Sequence, residues 1–271
     1  MTPLRARSFQ SCADALDRAA VPFAVMRGWQ DWPSVTGDVD LLVRSSDLTR
    51  AVERTRSALQ EQGWEVIVTC EHVDIPVVWA ANGLAASPDL IEVDLAPMVT
   101  WAGGSFLDVE RAVLERRLEG PVPRLRPGDE SVVLGLPALL GSDAVRRTKG
   151  AARLRQVAAL VAEDPQGART AWREAIGFAT DAVLEAVSAE DMAAFDAMAV
   201  KVRAVGIIRS FTKNPVGCTR RVAFVSWQRR RTSCCLWRSG HRSLDPLRCV
   251  DADLREWQNR MAQIASEHTR C

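Results

Sequence analysis

The chain has 271 residues, 47% of them hydrophobic and 25% charged, which is the composition of an ordinary globular protein with enough mass for a sizeable core. Its start, MTPLRARSFQ, lacks the apolar run of a secretion signal, and no stretch nears the roughly 18 residues a bilayer crossing needs, so a cytoplasmic protein with no membrane partner is expected. The net charge of +1 conceals an asymmetry: residues 1–200 carry 20 Lys+Arg against 29 Asp+Glu, whereas residues 201–271 carry 15 against 5. A basic end of that kind admits a nucleic-acid partner, although most of its cations are Arg and no base-reading motif accompanies them.

In chain order, Phe9, Cys12, Leu16 and Ala20 form one stripe and predict a first helix over Ser8 to Ala20, which Pro22 ends. Phe23 to Met26 reads as a short strand, Gly28 to Gly37 as a loop, and Val39 to Val43 as a second strand. A helix capped by Ser45 or Ser46 is expected to reach Gln62. Strands follow at Trp64–Thr69, Ile75–Ala80 and Leu90–Leu95. From Phe106 onward the pattern turns helical, with helices over Leu107–Leu118, Asp129–Leu140, Gly150–Ala162, Ala168–Val187 and Ala189–Val205. After Phe211 periodicity weakens, and Arg229-Arg230-Arg231 and Cys234-Cys235 have no core spacing. Five of the seven cysteines crowd this tail without a C-x-x-C pair, so neither a zinc module nor a disulfide framework is expected. Nor does the tail hold the glycines and lysine of a phosphate-binding P-loop.

The chemistry concentrates in Asp38-Val39-Asp40. Side chains two apart in a strand leave on one face, so these two carboxylates point together, with Leu41, Leu42 and Val43 anchoring the strand behind them. Paired carboxylates repel unless a cation neutralises them, and a hard cation such as Mg²⁺ takes oxygen ligands. Leu90 to Leu95 alternates, with Ile91, Val93 and Leu95 inward and Glu92 and Asp94 on the opposite face. Were that strand to lie beside the first, Asp94 would complete a triad able to hold the two metals of an in-line phosphoryl displacement.

These features together resemble the nucleotidyltransferase superfamily of DNA polymerase beta. Met26-Arg27-Gly28-Trp29, Gly37-Asp38-Val39-Asp40-Leu41-Leu42-Val43 and Val93-Asp94-Leu95, followed by Thr100-Trp101-Ala102-Gly103, are similar to bacterial members of that superfamily over about residues 20–145. The resemblance implies an α+β fold (mixed α/β), with an N-terminal sheet and flanking helices over residues 1–120, a helical region over 121–211 and a basic tail over 212–271. It implies that Asp38, Asp40 and Asp94 ligate Mg²⁺ or Mn²⁺, and that Arg27, Gly28 and Gly37 bind the nucleotide. The expected partners are an NTP and a hydroxyl-bearing acceptor. Two features depart from the family pattern: Trp29 replaces the usual small residue after the loop glycine, and the usual Gly-Ser pair is missing from that loop. Gly103-Gly104-Ser105 lies after the third acid instead, where a turn leading into a helix is expected. A non-catalytic binding module of the same fold is the alternative.

Overall fold

The computed structural model describes residues 3–34, 38–72, 75–82, 89–101, 104–140 and 143–213, with 215, 216, 219 and 223. The expectations for Gly37 and for nearly all of the tail therefore lie outside the described residues.

The N-terminal half is α1 (Pro3–Arg18), β1 (Phe23–Val25), β2 (Val39–Val43), α2 (Leu48–Gln60), β3 (Glu65–His72), β4 (Ile75–Asn82) and β5 (Asp89–Ala96). The strands form one sheet in the order β1-β2-β5-β4-β3. Only the β2–β5 pairing is parallel. A parallel neighbour needs a crossover, and α2, β3 and β4 together supply it. Alternation then sorts the strand residues between two faces. On one, Leu41, Val43, Ile91, Val93 and Leu95 pack against Phe9, Leu16, Ala51 and Leu59 of α1 and α2. Each such large side chain, fully buried, contributes about 1.5–3 kcal/mol. On the other, Ala24, Leu42 and Ala96 meet Leu107, Ala112, Val113, Leu125 and Val133.

A two-stranded ladder of β6 (Thr100–Trp101) and β7 (Gly104–Ser105) leads out of the sheet. Gly104 and Ser105 thus pair backward as strand rather than serving as the expected turn into a helix. The helices are α3 (Val109–Leu114), α4 (Pro127–Leu140), α5 (Asp143–Glu163), α6 (Pro165–Ile176), α7 (Thr180–Ser188), α8 (Met192–Ala197) and α9 (Ala199–Lys213). Helix α3 is shorter than its hydrophobic pattern predicts, because the chain after Glu115 turns back and Arg117 and Arg124 exchange backbone hydrogen bonds. The helix expected over Ala168–Val187 is broken at Gly177, whose φ of 64° suits glycine. The next is divided into α8 and α9, with Asp191 capping the first through the amides of Ala193 and Ala194. Trp172, Val132, Leu136, Val157 and Phe195 belong to the buried cluster that unites these helices. No helix among the described residues is long and apolar enough to cross a membrane.

Candidate metal centre

The parallel register of β2 and β5 sets Asp40 directly beside Asp94, and one step further along it sets Leu42 beside Ala96. The apolar pair is sealed beneath α3 and α4, while the acidic pair emerges at the rim of the same face. Asp38, just ahead of β2, turns to the same side. One carboxylate oxygen from each of Asp38, Asp40 and Asp94 lies within 4.8 Å of the other two. The three predicted acids therefore converge, although 54 residues separate Asp40 from Asp94 in the chain.

Their settings differ. Asp38 is exposed, with 42% of its side chain open to solvent, whereas Asp40 keeps only 12%. Burial pushes the Asp40 carboxyl above its ordinary range. The charge of Arg27 opposes this rise, Asp38 reinforces it, and a side-chain hydrogen bond with Asp94 pulls downward again. The energetic problem is that of clustered carboxylates in a partly dry site, and a cation solves it.

Arg27 supplies a cation from within the chain. The amide of Met26 donates to the carbonyl of Asp40 at 2.9 Å, continuing the β1–β2 ladder and carrying Arg27 over the acids. Its Nε then donates to Oδ2 of Asp40 at 2.5 Å and its Nη2 to Oδ2 of Asp38 at 3.0 Å. Burial alone would lower the Arg27 pKa, but the two carboxylates reverse that effect and the net direction is upward. Arg27, expected among the nucleotide-binding residues, here contacts the predicted metal ligands themselves. Gly28 follows with φ 73° and opens a single 3₁₀ turn, Trp29 to Asp31.

Trp29 is fixed from the helical half. Its indole Nε1 donates to both carboxylate oxygens of Glu130, at 3.0 and 3.2 Å, near the start of α4. The Arg124 guanidinium lies 3.8 Å above the centre of its ring, a cation–π geometry. Arg124 is placed by the ladder to Arg117, and the neighbouring Pro123 carbonyl accepts from the amide of Val25. Trp32 is buried with its Nε1 on Oε1 of Gln10, and Trp79 is also buried. Both belong to the buried core.

Burial, and then repulsion from Arg27, push the pKa of half-buried Arg153 in α5 down. Its spacing within an ordinary helix gives no sequence signal for this. Glu130 had a faint one: it is one of two acids, with Asp129, that open an otherwise apolar helix.

The donor set suits a hard divalent ion. All three ligands are carboxylate oxygens, and the cluster already draws a guanidinium onto two of them. Asp38, Asp40 and Asp94 would hold such an ion through these oxygens, which hard cations such as Mg²⁺ prefer.

No family model and no curated protein matches the chain. Two solved structures from Helicobacter pylori are similar to it. One is of a protein assigned to the nucleotidyltransferases, 9% identical, with a TM-score of 0.37, covering 73% of this chain and 92% of that one. The other is of the JHP933 protein, 10% identical, with a TM-score of 0.35, covering 78% and 96%.

Proposed function

We propose that the chain is a divalent-metal-dependent nucleotidyltransferase, moving a nucleoside monophosphate from an NTP to a hydroxyl group. The observation that carries this reading is the convergence of Asp38, Asp40 and Asp94 from β2 and β5 at one sheet rim. Asp38 and Asp40 would hold the metal, and Asp94 would complete the ligand set. When bound, Mg²⁺ or Mn²⁺ would neutralise charge on the transferred phosphoryl group and orient it for in-line displacement. The acceptor oxygen bonds to the α-phosphorus as the bond from that phosphorus to its bridging oxygen breaks. Pyrophosphate departs with that oxygen, and the hydroxyl proton passes to a carboxylate of the cluster, a role assigned to Asp94. Arg153, a half-buried cation whose pKa repulsion from Arg27 lowers, would suit the phosphates of the incoming nucleotide.

The test incubates the full chain with each NTP, Mg²⁺ or Mn²⁺, and a panel of sugars, small metabolites, RNA and protein acceptors, scoring pyrophosphate release. Release with at least one pair is expected, falling to background in Asp38→Asn and Asp40→Asn while circular dichroism stays unchanged. Pyrophosphate release with none of them would sink the enzymatic reading. An RNA acceptor would bring the basic tail into the function.

A second reading, a binding module without catalysis, is favoured by one observation. Trp29 fills the position of the usual small loop residue and is anchored to Glu130. Its signature would be an NTP-dependent rise in melting temperature with no pyrophosphate released.

A further inference from the structure

We propose that Arg27 is a built-in counter-ion that closes the acid cluster to divalent cations until the phosphates of a bound nucleotide draw it away. The inference rests on the metal-site reading above and adds a coupling between metal and nucleotide that the three acids alone would not produce.

The geometry gives Arg27 two of the three predicted ligands, the half-exposed Asp38 and the buried Asp40. Its Nε and Nη2 take Oδ2 of Asp40 and Oδ2 of Asp38 at the same time. Those carboxylates are two of the three a metal would need, and a guanidinium fork holds carboxylates directionally as well as by charge. A divalent ion entering while Arg27 stays would face a like charge on shared ligands. Metal alone should therefore bind weakly, since each binding event must first break two ion pairs.

The side chain is nevertheless free to leave. It is 40% exposed, and these two carboxylates are the only hydrogen-bonding partners of its guanidinium among the described residues. Gly28, the next residue, has left-handed backbone geometry and takes the chain into the 3₁₀ turn. What it would leave for is indicated by Arg153, a second guanidinium that is half-buried and whose pKa repulsion from Arg27 lowers. A polyphosphate between the two would relieve their repulsion and free Asp38 and Asp40 together. Nucleotide binding would then raise metal affinity, and by linkage metal would raise nucleotide affinity equally.

The probe is Mn²⁺ alone, titrated calorimetrically into the full wild-type chain and into Arg27→Met, which keeps much of the side chain's bulk without the charge. The variant should bind Mn²⁺ at least about tenfold more tightly, a gain of about 1.4 kcal/mol. Adding Asp40→Asn to the variant should abolish that gain. Mn²⁺ should also raise the melting temperature of Arg27→Met more than that of wild type. If both proteins bind Mn²⁺ equally, or the variant more weakly, Arg27 is no competitor and this proposal fails while the metal site survives. If neither binds, the metal reading itself has failed and takes the proposal with it. Should Arg27→Met not fold, Arg27→Lys replaces it: a point charge cannot fork across two carboxylates, so an intermediate gain is expected. Affinity unchanged in Arg27→Lys would overturn the proposal.

Discussion

At the scale of single residues, Glu130 shows how a buried acid serves architecture beside a chemical site. Burial raises its pKa, and the hydrogen bond from Trp29 and the charge of Arg124 only partly oppose the rise. A carboxyl whose folded-state pKa lies above its unfolded value contributes stability that is full below the unfolded value and lost as pH rises through the folded one. Glu130→Gln keeps an oxygen to accept from Trp29 and cannot ionise. The variant is therefore expected to match or exceed wild type at pH 7.5 and to lose the advantage near pH 4. Urea unfolding at the two pH values checks this, and a variant weaker than wild type at pH 7.5 would show that the ionised carboxylate is the stabilising form. The contrast with Asp40 is instructive. Asp38 and Asp40 were legible from their i, i+2 spacing alone, whereas Glu130 and Arg124 reach Trp29 only through folding. Nothing in the motif Met26-Arg27-Gly28-Trp29 shows that Arg27 would turn back onto the acids, because that depends on the register of β1 against β2.

At the scale of elements, period-2 alternation located β2 and β5 to within about a residue and sorted β5 correctly, with Ile91, Val93 and Leu95 buried. What alternation could not convey was adjacency: β3 and β4 lie between β2 and β5 in sequence, yet the sheet places β5 next to β2. Helix α5 begins at Asp143, seven residues before its apolar periodicity, because the charged run Asp143 to Lys149 hides the start. The breaks at Gly177 and Met198 carry no signal in the pattern, because apolar spacing continues across both. Close helix contact was equally invisible. A Cβ on Gly128 of α4 would stand 2.4 Å from the carbonyl carbon of Gly167 and 2.6 Å from the amide nitrogen of Ala168, both backbone atoms at the start of α6. Backbone cannot step aside as a side-chain tip can. Gly128→Ala should thus cost about 3 kcal/mol through overpacking, despite the better helix propensity of alanine. A change in unfolding free energy below about 0.5 kcal/mol would mean that the two helices separate easily.

At the scale of the whole molecule, the site depends on the sheet and the helices holding one arrangement. Asp40 and Asp94 come from the sheet and Asp38 from just ahead of β2, while Trp29 is fixed by Glu130 of the helical half. Val99 packs against the helical cluster and against the cluster beneath the sheet, so no dry boundary separates them. Among the helices, Arg111 of α3 donates to Asp129 of α4 at 2.6 Å and to Glu174 of α6 at 3.1 Å. Asp129 is 2% exposed, and burial raises its pKa while Arg111 opposes the rise. Replacing Arg111 with Met would leave that carboxylate buried without its cation. Breaking a buried pair from one side typically costs 3–5 kcal/mol, but Arg111 is about a quarter exposed and partly screened. A loss of about 2 to 3 kcal/mol at pH 7.5 is expected. The sign of its pH dependence follows from Asp129. With Arg111 gone, the carboxyl rises further, so it retains its proton at higher pH and the cost of ionising it grows toward neutrality. The deficit relative to wild type should consequently be larger at pH 7.5 than at pH 4.5, where the carboxyl is largely neutral in the variant. Urea unfolding at both values measures it, and equal deficits would show that Arg111 acts by packing its stem rather than by pairing with Asp129. Because that pair spans α3 and α4, the variant should also loosen the face that covers Leu42 and Ala96, one step from the acids. A weaker Mn²⁺ affinity in Arg111→Met, with every ligand intact, would then measure how far the metal centre depends on the helices behind it.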